Sequence, residues 1–270
     1  MSSESSYFVP ASSKLPIFMA ISLLLFVYGA GYTINDLGKE DSYSHWILIS
    51  SFLLMWGTMF FWFSEVIKEN DKGLYSDQLN TSFVHGMSWF IFSEVMFFFA
   101  FFLALGYVRI FAVPWLGGEG EKGISNILWP GFEANWPLME TPDNERFPGA
   151  HHNMSIPALS KIHTWLPFWN TLCLVTSSGT IALAEAALKK GNRKGFKLWM
   201  VATLTLGYVF VVLQSVEYYE AYAHMGLTLG AGIYGTTFFL MTGFHGFHVC
   251  LGAIILTIMT IRGFRGAFSE

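Results

Sequence analysis

The longest charge-free interval in this chain constrains its fold more than any other feature. From Ala221 to Ile261 the sequence contains no Asp, Glu, Lys or Arg. A helix rises about 1.5 Å per residue, and about 20 apolar residues cross the roughly 30 Å hydrocarbon layer of a membrane. Because the interval is too long for one straight helix, we interpret it as a connector, Ala221–Leu229, followed by a helix over about 230–261.

Apolar intervals recur along the chain and predict five more spans. Hydrophobic residues make up 53% of the sequence and charged residues 13%, against about 25% charged residues in an ordinary globular chain. We therefore predict an all-α, polytopic membrane helix bundle that forms a single membrane domain over residues 1–270, grouped as two helices plus four. The predicted spans are about 15–35, 43–67, 83–108, 163–188, 198–220 and 230–261, with an outer loop at 109–162.

The distribution of cations predicts the orientation of the chain. An even number of spans places both termini on one face, and that face would carry most of the Lys and Arg residues, including the cluster Lys189–Lys197. Cytoplasmic loops carry an excess of Lys and Arg. We therefore expect both termini in the bacterial cytoplasm or in its mitochondrial equivalent, the matrix.

The charge and the cysteines argue against two other classes of function. A net charge of −4, without a basic tract in the N-terminal half, provides no electrostatic footprint for nucleic acid. Cys173 and Cys250 lie in separate apolar runs, so they predict neither a disulfide framework nor a CxxC metal site.

One carboxylate, Glu94, lies near the centre of the third predicted span. A carboxylate at this depth costs at least a few kcal/mol by insertion scales, and such residues are usually functional. Two roles stay open at this point. Glu94 is either a proton-handling or lipid-facing carboxyl, or a protonated side chain that holds the bundle together by a hydrogen bond to a neighbouring helix.

A pair of histidines, His245 and His248, lies one turn apart beside Gly243 and Gly246. Two histidines at this spacing can share a metal, but no carboxylate or cysteine suited to a metal site accompanies them. We favour a helix-packing motif, in which the histidines form hydrogen bonds between helices and the glycines let backbones approach. The sequence therefore predicts no metal site in this chain.

Residues near the predicted inner ends of the spans suggest lipid binding. Glu69 follows the second span, and Arg262 and Arg265 follow the sixth. Cations at inner helix ends bind lipid phosphate. Trp62 lies near the end of the second span, where an amphipathic ring suits the headgroup layer.

Three segments together resemble subunit III of the haem-copper cytochrome c oxidases: His85–Phe98, Leu213–Ala221 and Gly232–Val249. The third is the most specific, because its pattern of Gly, His and Phe has little chance of arising from generic membrane composition. The similarity extends from Tyr7 to about Phe268, and the long outer loop is most similar to that of bacterial aa3-type members.

This resemblance implies an accessory subunit of a proton-pumping terminal oxidase, not active as a chain alone. It implies haem and copper in partner subunits I and II, none in this chain, and cytochrome c as the substrate of the whole complex. It also implies bound phospholipid, in a cleft between the first two helices and the rest. Glu94 matches the intramembrane glutamate of the family, which supports proton uptake and durability during turnover. The lipid-headgroup contacts of the family near the inner face are matched by Glu69, Arg262 and Arg265.

The sequence departs from the family pattern in two places. The family usually has a seventh helix after the turn at Arg262, whereas this sequence stops at Glu270. We therefore expect that the sequence is truncated, or that the last span is absent or supplied by another chain. Ala184-Glu185-Ala186 stands where the family often carries a tandem His.

Two other functions stay open on the residues alone. One is a proton-coupled transporter that uses Glu94, although transporters usually show internal repeats with broken helices. The other is a membrane cytochrome with His245 or His248 as a haem ligand. The resemblance favours the oxidase subunit, in the bacterial inner membrane before the mitochondrial one.

Overall fold

The structure, a computed structural model, describes residues 8–36, 43–150 and 157–268. Within these ranges the chain forms helices and loops and no strand. Six described helices are long and apolar enough to cross a membrane, which confirms the predicted polytopic bundle. They are α1 (Leu15–Asn35), α2 (Ser44–Asp71), α3 (Asp77–Leu116), α4 (Leu166–Lys189), α5 (Arg193–Ala223) and α6 (Gly232–Phe264).

The helices extend beyond most of the predicted spans, and α3 does so farthest. It is α-helical to Tyr107, continues through a π-helical segment, Val108–Ala112, and closes with one turn, Val113–Leu116. Residues 109–116, which the sequence assigns to the outer loop, are thus helical. The peptide groups of a helix stay paired in water as in lipid, so a helix need not end where hydropathy falls.

The described chain packs as two compact units, divided after Glu94 within α3. In the first unit α1 and α2 pack against each other. Gly29 of α1 lies directly on the backbone of α2, because a Cβ at this position would come within 3.0 Å of the Leu48 Cα and N atoms. The buried hydroxyls of Ser22 and Ser51 donate to carbonyls of their own helices, so both are satisfied without a partner on the other helix.

In the second unit α4 and α5 form a hairpin, and α6 packs on α5. The turn of this hairpin uses Gly191 at φ +70°. Asn192 then caps α5, since its Oδ1 accepts a hydrogen bond from the Gly195 N–H at 3.0 Å. Farther along, the buried hydroxyls of Thr180 and Thr203 lie 2.7 Å apart and join the two helices.

The second unit has a turn end, at the turn between α4 and α5, and a loop end, where the long loop packs. At the turn end, the start of α5 meets the end of α6, where the Phe196 and Phe268 rings lie 6.1 Å apart. At the loop end, Ala150 of the long loop shares one buried cluster with Ala221 and with Leu227 of the α5–α6 connection. The long loop is therefore anchored on the ends of α5 and α6.

Candidate functional site

A groove of about 670 Å³ in the first unit is lined by two of the predicted lipid-binding residues, Trp62 and Glu69 of α2. The N-terminal segment, residues 8–16, forms another wall of the groove. Tyr75 and the start of α3 complete it. Aromatic and charged side chains therefore meet in one concave surface.

Tyr75 fixes the carboxylate of Glu69 within this groove. Its hydroxyl lies 3.0 Å from Glu69 Oε2 and 3.1 Å from the carbonyl oxygen of Val66, so its one proton has two acceptors. Partial burial raises the pKa of Tyr75 to about 12, and the hydrogen bond and negative charge of Glu69 act in the same direction. Tyr75 is therefore neutral and a hydrogen-bond donor at physiological pH.

Rings and charges of both signs surround this pair. The Phe8 ring lies 5.9 Å from that of Tyr75, and the Phe83 ring lies 5.4 Å from it on α3. Lys14 supplies a cation to the groove, and Glu65 supplies a second carboxylate. The surface is amphipathic, with apolar rings beside a cation and two carboxylates.

The other two predicted lipid-binding residues, Arg262 and Arg265, lie at the turn end of the second unit. Arg265 caps the C-terminus of α6. Lys197 of α5 lies over the Phe264 ring, with its Nζ 5.1 Å from the centroid. Cations at the C-terminus of a helix are favoured by its dipole. The turn end therefore carries several cations.

Glu94 lies on α3 with its side chain partly buried. The next turn of the helix carries an aromatic cluster of the second unit. The Phe97 ring lies 5.0 Å from those of Phe101 and Phe244, and the Phe98 ring lies 5.6 Å from that of His248. The carboxyl group therefore sits one turn before a tightly packed set of rings.

His245 and His248 contact different helices. The His245 ring lies 5.7 Å from Phe210 of α5, whereas His248 faces Phe98 of α3. His248 Nδ1 also lies 2.5 Å from the carbonyl oxygen of Phe244 on its own helix. Among the described residues, no group of three or more His, Cys, Asp or Glu is placed to hold a metal ion.

The two glycines of the predicted helix-packing motif have unequal surroundings. A Cβ at Gly243 would lie 3.7 Å from the Tyr218 hydroxyl, whereas a Cβ at Gly246 would meet nothing within 4 Å in the described chain. Tyr218 instead joins α5 to α6 through a 2.7 Å hydrogen bond with the Thr242 hydroxyl. The Tyr208 hydroxyl and the Thr257 hydroxyl form a second such bond at 2.9 Å, so Tyr–Thr pairs supply polar links between these helices.

Sequence reasoning missed a second polar link, between Asn170 and Glu217. Asn170 is 4% exposed, and its Nδ2 donates to Glu217 Oε1 at 3.1 Å, joining the start of α4 to the end of α5. The Asn170 Oδ1 is buried and has no hydrogen-bond partner among the residues that the structure describes. A polar side chain next to a span boundary was the only available signal, and it does not identify a partner 47 positions away.

A known protein family matches this chain over two long ranges that contain the six helices. The family model described as cytochrome c oxidase subunit III matches residues 5–125 and 151–270. The segment 126–150 lies between the two matched ranges.

Three relatives called cytochrome c oxidase subunit 3 are similar over most of this chain. The protein from Arabidopsis thaliana is 34% identical over 217 residues, which cover 79% of this chain and 67% of the relative. The protein from Oryctolagus cuniculus is 32% identical over 214 residues, 79% and 68% of the two chains. The protein from Phoca vitulina is 33% identical over 228 residues, 82% and 73% of the two chains.

Proposed function

Since this chain belongs to the cytochrome c oxidase subunit III family, and is thus a subunit of a terminal oxidase, we propose that it is an accessory subunit that binds phospholipid and supports proton uptake. Haem and copper reside in partner subunits I and II, and cytochrome c is the substrate of the whole complex. The complex is of the bacterial aa3 type, in the inner membrane, with both termini of this chain in the cytoplasm. The family assignment makes the proton-coupled transporter the weaker reading of Glu94.

The groove around Glu69 and Tyr75 is the observation that carries the lipid-binding part of this proposal. A phospholipid headgroup joins a phosphate to an alcohol such as ethanolamine, so it needs both hydrogen-bond donors and acceptors. Lys14 offers a cation for the phosphate, and Glu69 offers an acceptor for an ammonium group. The rings of Trp62 and Phe83 offer apolar contact to the glycerol and the first methylenes of the acyl chains.

The cationic turn end of the second unit supports a second lipid contact. Arg262 and Arg265 belong to the C-terminus of α6, and a guanidinium pairs well with phosphate because its donors form a planar fork. An anionic headgroup is therefore the chemistry that suits these two residues.

Glu94 carries the proton-related part of the proposal. Its position in the apolar centre of α3 makes a change of protonation state the principal chemistry open to it. Glu94 supports proton uptake by the complex, and no electron passes through it. Electron transfer stays in the partner subunits, which hold the haem and the copper.

One experiment on the purified oxidase tests the lipid part directly. Native mass spectrometry of the complex should show phospholipid that stays with this subunit, and Glu69→Gln together with Lys14→Ala should reduce its occupancy severalfold. The control is Lys72→Ala, a cation of the α2–α3 connection that does not line the groove. Equal occupancy in all three proteins would contradict the assignment of the groove.

A further inference from the structure

The long loop presents three exposed apolar side chains on one face. A 3₁₀-helix, Gly123–Leu128, follows the end of α3. Its residues Ile124, Ile127 and Leu128 are 77%, 74% and 74% exposed against the described chain. Because residues three apart in a 3₁₀-helix lie one above the other, Ile124 and Ile127 share a face, with Leu128 beside them. Such a face in contact with water marks an interaction site.

This apolar face is held rigidly on the end of α3. Asn126 points the other way, and its Nδ2 donates to the carbonyl oxygen of Leu116 at 2.8 Å. Gly123 packs against the Gly118 carbonyl, where a Cβ would have no room. These contacts fix the 3₁₀-helix on the end of α3, with its three apolar side chains exposed.

The position of the face along α3 places it outside the lipid. Glu94 lies midway between Asp77 and Arg109, the charges that bound the apolar part of α3, so we take it as the membrane midplane. Leu116 follows Glu94 by 22 residues, or about 33 Å of helix. The hydrocarbon ends about 15 Å from the midplane and the headgroups about 20–22 Å. Even at a tilt of about 40°, the end of α3 lies beyond the headgroups.

The charges beside the face also argue against a lipid surface. Glu119 and Glu121 are exposed on the approach to the 3₁₀-helix. The neighbouring cation, Lys122, lies over the Trp115 ring with its Nζ 4.6 Å from the centroid. Carboxylates at the edge of an apolar face repel an anionic membrane and attract a protein surface with cations at its edge.

We infer that Ile124, Ile127 and Leu128 form a docking surface for another polypeptide of the oxidase, one with an apolar patch edged by cationic side chains. The inference rests on this chain being one subunit of a complex. It does not depend on the roles proposed for Glu94 or for the lipid groove. Ile127 and Leu128 lie within the segment 126–150, which the family model does not match, so this contact belongs to oxidases whose subunit III carries such a segment.

Site-directed photocrosslinking in the assembled oxidase tests the inference. A benzoylphenylalanine at position 127 should crosslink to a second polypeptide, identified by mass spectrometry. The matched control is position 160, where an exposed serine lies on the other 3₁₀-helix of the long loop, Leu159–Thr164. Adducts with lipid alone, or no polypeptide adduct from an intact complex, would overturn the inference.

A pair of charge substitutions adds an independent readout. Ile127→Asp should make this subunit leave the complex about tenfold faster during detergent washing, because a carboxylate would be buried in an apolar contact. Ser160→Asp, on the other 3₁₀-helix of the long loop, should leave that rate unchanged. Equal rates for the two variants would overturn the inference. If the wild-type chain purified without a haem-containing partner, the proposed function would fail too. If it purified with that partner but gave no crosslink, only the docking surface would be contradicted.

Discussion

The Tyr75 hydroxyl lies 3.0 Å from Glu69 Oε2, and this hydrogen bond joins the connection between α2 and α3 to the last turns of α2. It orients the carboxylate at the wall of a groove that also contains Trp62 and Lys14. A sequence-predicted lipid contact is thus positioned by a residue that the sequence did not single out.

Removing the Tyr75 hydroxyl should weaken lipid binding without unfolding the subunit. Tyr75→Phe keeps the ring contacts with Phe8 and Phe83 but leaves Glu69 free to rotate. A hydrogen bond to a charged group contributes about 1.5–3 kcal/mol, and we expect less here because the site is partly open to water. Lipid occupancy in native mass spectrometry should fall about threefold. Tyr43→Phe, at an exposed ring in the same unit, is the control, and equal lipid loss in both variants would contradict the prediction.

Tyr75 should lose its proton at a higher pH than a free tyrosine. The pKa of a free tyrosine is about 10, and that of Tyr75 is raised to about 12. The folded protein therefore holds this proton more tightly than the unfolded chain does. The resulting stabilisation is complete below about pH 10 and is lost as the pH rises through about 12. The difference in tyrosinate absorbance between wild type and Tyr75→Phe should have its midpoint near pH 12, and a midpoint near pH 10 would argue against this environment.

The contact of α1 with α2 should depend on Gly29. In Gly29→Ala the new Cβ would lie 3.0 Å from the Leu48 backbone, so the two helices must separate. Overpacking of this kind costs about 1–3 kcal/mol. The thermal denaturation midpoint of the detergent-solubilised complex should fall by several degrees. Gly31→Ala is the matched control, because its Cβ would meet nothing within 4 Å, and its midpoint should stay level or rise slightly.

The buried amide at the start of α4 should stabilise the hairpin of the second unit. Asn170→Ala removes the donor to Glu217 Oε1 and creates a small cavity. The expected loss is about 1–2 kcal/mol, measured as a lower denaturation midpoint of the solubilised complex. Thr171→Ala, next along the helix and exposed, should have little effect. If both variants denature at the wild-type temperature, the link between α4 and α5 contributes no stability.

The helices were predictable from the sequence because the membrane imposes long charge-free intervals. The ends of the helices were not, because backbone pairing continues past the hydrocarbon, and α3 carries Arg109 within its helical extension. The spacing of His245 and His248 placed them on nearby faces but could not show that one ring meets Phe210 of α5 and the other meets Phe98 of α3. That outcome depends on which helices pack beside α6.

The residues of the candidate site were likewise predictable only in part. Charge and amphipathic character at the span ends pointed to Glu69 and Trp62, since such residues stand out against an apolar background. Tyr75 lies in a short charged connection without periodicity, so only the chain reversal between α2 and α3 shows that it meets Glu69. In the sequence, the apolar residues of the 3₁₀-helix look like ordinary loop residues. Only the structure shows that their side chains are exposed.

The most direct test of an accessory, proton-related role is the initial rate of cytochrome c oxidation by oxidase that carries Glu94→Ala. The adjacent Ser93→Ala serves as the control, because the Ser93 hydroxyl donates to the Phe90 carbonyl of its own helix. We predict initial rates within about twofold of wild type for both variants, since electrons do not pass through this chain, while Glu94→Ala alone alters proton uptake or shortens the active lifetime during turnover. Loss of initial activity in a fully assembled Glu94→Ala complex would contradict the account.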